Sequence, residues 1–208
     1  MTLLLPLLMA YSLIGETFHE VIGTLAFVLF VVHHALNRKW YGALLKGKYT
    51  ARRICQTILD LLLIVFMVLQ PLCGVLVSKH LYTFLPVLPI SSQARSIHML
   101  LAYWGYVLLC IHAGTHLAAP LRKLYTKSKK TFAAVCAAFG SVSVYGCAAF
   151  IKRGFPGYMS GKTMFAFFDY SEPRVFFFLD YLAIMALFMM TGCLAVYGLS
   201  KIRRAEKK

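Results

Sequence analysis

Acidic side chains are scarce in this chain: there are seven Asp and Glu among 208 residues, and charged residues of both signs make up only 14%. An ordinary soluble domain is about a quarter charged. That scarcity, with 60% hydrophobic residues and a mean hydropathy of +0.72, excludes a water-soluble globule. A Cys-x-x-Cys pair and a Cys-x-x-Cys-His attachment sequence are also missing. The six cysteines, Cys55, Cys73, Cys110, Cys136, Cys147 and Cys193, all lie inside apolar runs. Cysteine used in this way is a small buried apolar residue, which predicts no disulfide, no iron–sulfur cluster and no covalently attached c-type haem.

What the chain does have is 22 Lys and Arg, for a net charge of +15. A nucleic-acid binder carries such charge on one polar face. Here the basic residues form short clusters between long apolar runs, so no nucleic-acid partner is expected and the lipid bilayer is. About 20 apolar residues cross a hydrocarbon core of roughly 30 Å, and five stretches qualify: 18–36, 54–77, 96–119, 132–151 and 175–200. A sixth, 2–14, is apolar but holds 13 residues, about 20 Å of helix. It lacks the basic flank and small-residue cleavage site of a secretory signal. Two readings stand: a thin or re-entrant first helix, or the second half of a helix that begins upstream. The expected architecture is all-α, a single integral membrane domain over 1–208 forming a polytopic bundle of about six transmembrane helices. Helices two to four fall within 15–119 and helices five and six within 132–200.

Loop charges orient these helices. Arg38, Lys39, Lys46, Lys48, Arg52 and Arg53 follow the second helix. Arg122, Lys123, Lys127, Lys129 and Lys130 follow the fourth, and Lys201, Arg203, Arg204, Lys207 and Lys208 form the tail. These clusters hold 16 of the 22 basic residues and alternate along the chain. The positive-inside rule then predicts a multi-pass protein of the cytoplasmic membrane with both termini cytoplasmic. Helices two and four run parallel in that arrangement, both ending inside.

Ionisable side chains inside a bilayer are costly and mark sites. Six of the seven histidines lie on those two parallel helices: His19, His33 and His34 on one, His98, His112 and His116 on the other. His19 and His33 are 14 residues apart, and so are His98 and His112. Fourteen steps of about 100° return to nearly the same helix face, about 21 Å further along the axis. Two opposed pairs result, His19 with His98 near the outer surface and His33 with His112 near the inner one. They form a ligand set for two non-covalent bis-histidine b-type haems in a four-helix core. With both axial positions taken, such a centre passes electrons and leaves no open site for substrate.

Ala26 and Gly105 stand midway between the paired histidines on each helix and leave room for the edges of two macrocycles; Gly23 and Gly114 thin the same helices. Arg95, one turn before His98, and Arg38 and Arg122, just past the inner ligands, are candidate partners for haem propionates. His34 with His116 is a competing inner pair, less well matched in depth. Asp60, inside the third helix, either neutralises Arg53 or a nearby Lys or serves proton uptake. Gln70 and Pro71 mark an expected bend.

The strings His33-His34-Ala-Leu-Asn-Arg-Lys-Trp, Ala51-Arg52-Arg53, Ala94-Arg95-Ser96-Ile97-His98, Ala102-Tyr103-Trp104-Gly105 and His112-Ala113-Gly114-Thr115-His116 resemble the flavinylation-associated cytochrome family, best over residues 9–117. The resemblance implies helices that carry electrons through haems across the cytoplasmic membrane, with His19, His33, His98 and His112 at the ligand positions. It also implies an extracytoplasmic partner bearing covalent FMN. No Asp-Gly-x-Gly-Ala-Thr-like flavin acceptor occurs in this chain, so any FMN sits on that partner.

The loop at 152–174, with Phe155, Tyr158, Phe165, Phe167, Phe168 and Tyr170 around Asp169 and Glu172, is either a docking face, a cover for the outer site or an interfacial aromatic belt. Ser160-Gly161-Lys162-Thr163 is no phosphate loop, because Pro156 stands where the first glycine is required. The reading is therefore an electron-transfer subunit, fed by a cytoplasmic or quinol donor. Its rivals are a quinol-oxidising or ferric-reductase-type enzyme and a haem-free membrane anchor or metal carrier.

Overall fold

The computed structural model describes residues 2–85, 92–166 and 168–205, with the backbone alone over 202–205. Phe167 of the aromatic loop and Lys207 and Lys208 of the basic tail lie outside the described residues, and for Arg203 and Arg204 nothing is said of the side chain. In chain order the helices are α1 (Leu4–Met9), α2 (Tyr11–Ile14), α3 (Glu16–Leu36), α4 (Lys39–Ala43), α5 (Ala51–Val77), α6 (Ser92–Lys127), α7 (Lys129–Lys152), α8 (Phe155–Met159) and α9 (Arg174–Ala205). Among the described residues five of them, α3, α5, α6, α7 and α9, are long and apolar enough to cross a membrane.

The segment expected as a sixth span is instead two short pieces that part at Ala10. With six and four residues, they measure only about 9 and 6 Å, too short to cross a bilayer. Gly15, at φ +85°, then turns the chain into α3 through a conformation that side chains disfavour. The basic stretch after the fourth expected span also differs from a loop. There α6 continues through Pro120 to Lys127, and Ser128 alone links it to α7, its hydroxyl accepting from the Thr131 N–H as an N-cap. At 36 residues, α6 is about 54 Å long, so it projects well beyond one membrane thickness.

Packing is uneven. Helices α6, α7 and α9 meet almost backbone to backbone because glycines stand at their crossings. A Cβ on Gly114 would lie 2.0 Å from the Met189 carbonyl oxygen, one on Gly192 2.1 Å from that of Ile111, and one on Gly146 2.3 Å from that of Ala183. Gly114 therefore serves the contact with α9 and not, as expected from sequence, the clearance of a cofactor. Beside these crossings Tyr103, Tyr106, Cys110, Phe155, Tyr181 and Ile184 form the core. Tyr106 donates to the Tyr181 carbonyl at 2.6 Å, and Tyr103 stacks on Tyr158 at 4.1 Å between ring centres. By contrast, Ile22 is the one buried residue of α3 and Leu63 that of α5.

Candidate functional site

The space that α3 and α5 leave open is a cavity of about 1310 Å³. Pockets for a single drug-sized ligand run to about 1,000 Å³. Its walls are α3, α5 and α6, with α1 and residues 164–166 at one end and Met189 of α9 behind. The sequence leads one to expect a four-helix core; the cavity has three long helices around it, with the short α1 at one end. His19, His33, His34, His98, His112 and His116 all line it, as do Ala26, Gly105 and Arg95. The 14-residue spacing thus brings both histidine sets into one space.

At the α1 end the rings of His19 and His98 lie 6.2 Å apart, centre to centre. Two imidazoles bound to opposite sides of one metal ion at about 2 Å each place their ring centres roughly 6 Å apart. His98 lies against α5, where its Nδ1 is 3.3 Å from the backbone carbonyl oxygen of Gln70. Gly74 makes the room, since a Cβ there would stand 3.4 Å from the His98 ring. With Nδ1–H donating, Nε2 carries the free lone pair, and the Gln70 side-chain amide lies 3.3 Å from it. That amide has to leave before Nε2 can bind a metal, and its oxygen is buried without a partner. The His19 ring is near the Leu8 backbone, yet its Nδ1 is buried with no well-oriented hydrogen bond.

At the other end His112 Nδ1 meets Asp60 Oδ1 at 2.8 Å. His116 packs on His112 at 4.9 Å and His33 on His34 at 5.6 Å between ring centres. His34 Nδ1 bonds the Tyr41 hydroxyl at 2.5 Å. His33 and His112 both lie within electrostatic range of His34 and His116, without a ring contact of their own among the described residues. Neither candidate inner pair, His33 with His112 or His34 with His116, is joined by a ring contact among the described residues; the ring contacts there run along each helix.

His98 and His112 of α6 share a feature that spacing does not show: each has its Nδ1 turned to an oxygen of α5. Metal-binding histidines are nearly always held so, by a carboxylate or a backbone carbonyl. Asp60 therefore pairs with a histidine and not with Arg53, whose guanidinium donates to the Ala43 carbonyl at 2.6 Å. Arg95 reaches the cavity as expected. Arg38 does not: the chain turns at Asn37, whose amide bonds back to the His33 carbonyl at 2.7 Å, and Arg38 stands exposed at the start of α4. Arg52 is the arginine within electrostatic range of His116.

The aromatic loop divides. Phe155 and Tyr158 are buried in the α6–α9 core, Phe165 lines the cavity, and Tyr170 is exposed while donating to the Ser12 carbonyl at 3.2 Å. Sequence reasoning passed over Asp180, wholly buried on α9 and bound to Tyr145, Lys152 and Arg153 at 2.5, 2.9 and 2.7 Å. An acid inside an apolar span was a sufficient reason to look for partners there. Among the described residues no three or more His, Cys, Asp or Glu are gathered closely enough to hold a bare metal ion. A bis-histidine haem asks the protein for two ligands, the macrocycle supplying the rest. No family model, curated protein or solved structure matches this chain.

Proposed function

We propose that this membrane protein is a cytochrome holding two b-type haems between α3 and α6 and passing electrons across the bilayer. The observation that carries the reading is the facing of His19 and His98 at 6.2 Å across a cavity that also receives the inner histidines. The His–Gln70 and His–Asp60 contacts from α5 support it. When bound, haem supplies a reversible one-electron couple at each end of the cavity. The chain's own part is to fix imidazole orientation, to keep Nε2 unprotonated and to hold lipid and water off the site. Arg95 at the outer end and Arg52 at the inner end are the basic groups for anionic substituents.

Read with five crossings, the loop charges put the C-terminus in the cytoplasm and α1 and α2 on the opposite side. The cytoplasmic membrane, a cytoplasmic or quinol donor and an extracytoplasmic flavoprotein acceptor complete the reading, in line with the resemblance to the flavinylation-associated cytochromes. A pyridine haemochrome assay on the purified chain tests it: two haems b per chain are expected, and none or one overturns the reading.

A further inference from the structure

Resting on the two-haem reading, the geometry points to α5 as the helix that makes the two sites unequal, with Asp60 as the positioning residue that holds the inner site at a lower redox potential than the outer. The unequal partners are in view. His112 Nδ1 meets a carboxylate oxygen at 2.8 Å, whereas His98 Nδ1 meets a peptide carbonyl at 3.3 Å. A carboxylate draws the Nδ1 proton more strongly than a peptide oxygen and forms the shorter, charge-assisted bond. More electron density is left on Nε2, and a stronger donor favours the oxidised metal.

Nearby charge acts in the same sense, since a fixed negative group in a low-dielectric site opposes the arrival of an electron. Other charges are near both ends. The outer end has Glu20 within range of His19, but its carboxylate accepts from Ser78 Oγ, Lys79 N and Leu81 N at 2.7–2.9 Å and touches no imidazole. Glu16 is paired with Lys79 and His80, and Arg95 adds positive charge on the cavity wall. At the inner end Arg52 is close to His116, while Asp60 is in direct contact with His112. The difference favours electron occupancy at the outer site, so the asymmetry on α5 gives the conduit an outward direction.

Redox titration of the purified full chain, followed by haem absorbance, tests this. Wild type is expected to show two resolved waves. Asp60→Asn is expected to raise the lower wave towards the upper one and leave the upper one in place, and Asp60→Glu to return the lower wave most of the way. If Asp60→Asn retains two haems and neither wave moves, or both move alike, the inference falls while the two-haem reading stands. If wild type binds no haem, both fall together. Should Asp60→Asn shed the inner haem, EPR of the ferric wild-type protein decides. Two distinct low-spin signals are expected, with the stronger ligand field in the one that His112→Ala removes; two superimposable signals overturn the inference.

Discussion

The α6–α7–α9 half of the molecule and the α3–α5 half are both built from helices apolar enough to cross a membrane, yet one is packed and the other is hollow. In the first, Gly114, Gly146 and Gly192 let backbones touch, aromatic rings fill the remaining space, and the one buried acid has three partners. In the second, small residues stand where nothing touches them closely: a Cβ on Gly105 would meet only Phe66, at 3.9 Å. The same residue type therefore means opposite things on one helix, at Gly114 a close crossing and at Gly105 an open wall. Around the cavity the polar side chains pair across helices while lining a common space, and in the packed half they converge on one buried carboxylate. The first arrangement suits a held ligand, and the second suits a scaffold.

The contrast is sharpest at Asp180. Truncation to Ala removes the central acceptor from Tyr145, Lys152 and Arg153 and leaves a nearly buried guanidinium short of a partner. Breaking a buried ion pair from one side costs about 3–5 kcal/mol. We expect the low end, because Lys152 reaches solvent with half its surface exposed. Thermal or denaturant unfolding in detergent should show that loss in Asp180→Ala with or without cofactor. A change below about 0.5 kcal/mol, the usual range for surface substitutions, would mean that the network is incidental.

Glycine separates the halves at smaller magnitude. Gly114→Ala sets a methyl 2.0 Å from a backbone oxygen, so α6 and α9 must move apart; overpacking of this kind costs about 1–3 kcal/mol. Gly105→Ala meets ordinary contact distance and should leave the melting temperature of the cofactor-free protein unchanged or slightly higher, since Ala suits a helix better. Gly105→Leu should instead lower haem content at nearly unchanged stability. Equal destabilisation by the two alanine variants would erase the distinction drawn between them.

Histidine replacement in the hollow half should move cofactor content and little else. His98→Ala or His19→Ala is expected to halve the haem released per chain and to remove one wave from the redox titration. Among the described residues the hydrogen bonds of His98 are two 3.3 Å contacts with Gln70, so cofactor-free stability should fall by no more than about 1 kcal/mol. Loss of both haems, or of neither, would break the assignment of His19 with His98 to one site.

How far the sequence carries depends on whether one helix holds the information. Spans were legible from hydropathy, and the histidine faces from a spacing of 14 residues within α3 and within α6, because a helix's own periodicity fixes which side chains share a side. Which oxygen of α5 meets which histidine of α6 was not legible, since no periodicity links two helices: Asp60 was visible as a costly group, and its partner was not. Arg38 was placed beside the inner histidines by sequence proximity to His33, which does not register the turn at Asn37. The break at Ala10 was hidden for a related reason. Ala10 is buried almost completely against the α6–α9 core, and hydropathy alone does not separate a residue wedged into protein from one facing lipid.

The smallest expected effect concerns the rim of the packed half. The Lys152 ammonium, 2.6 Å from Glu172, holds that carboxyl below the usual carboxylate range, with Arg153 adding to it. A folded-state pKa lowered in this way gives stability that is fully present above the unfolded value of about 4.3. That stability is lost as pH falls through the lower, folded-state value. The melting temperature should therefore be insensitive to Glu172 between pH 8 and 5 and should fall below that unfolded value in wild type. Glu172→Gln should remove up to about 1 kcal/mol at neutral pH, the scale of exposed pairs, and should make the acid fall shallower. His98→Ala should keep the wild-type acid profile, because the rim belongs to the half that holds the fold and not to the half that holds the ligand. An acid profile altered by His98→Ala and unchanged by Glu172→Gln would reverse that division of labour.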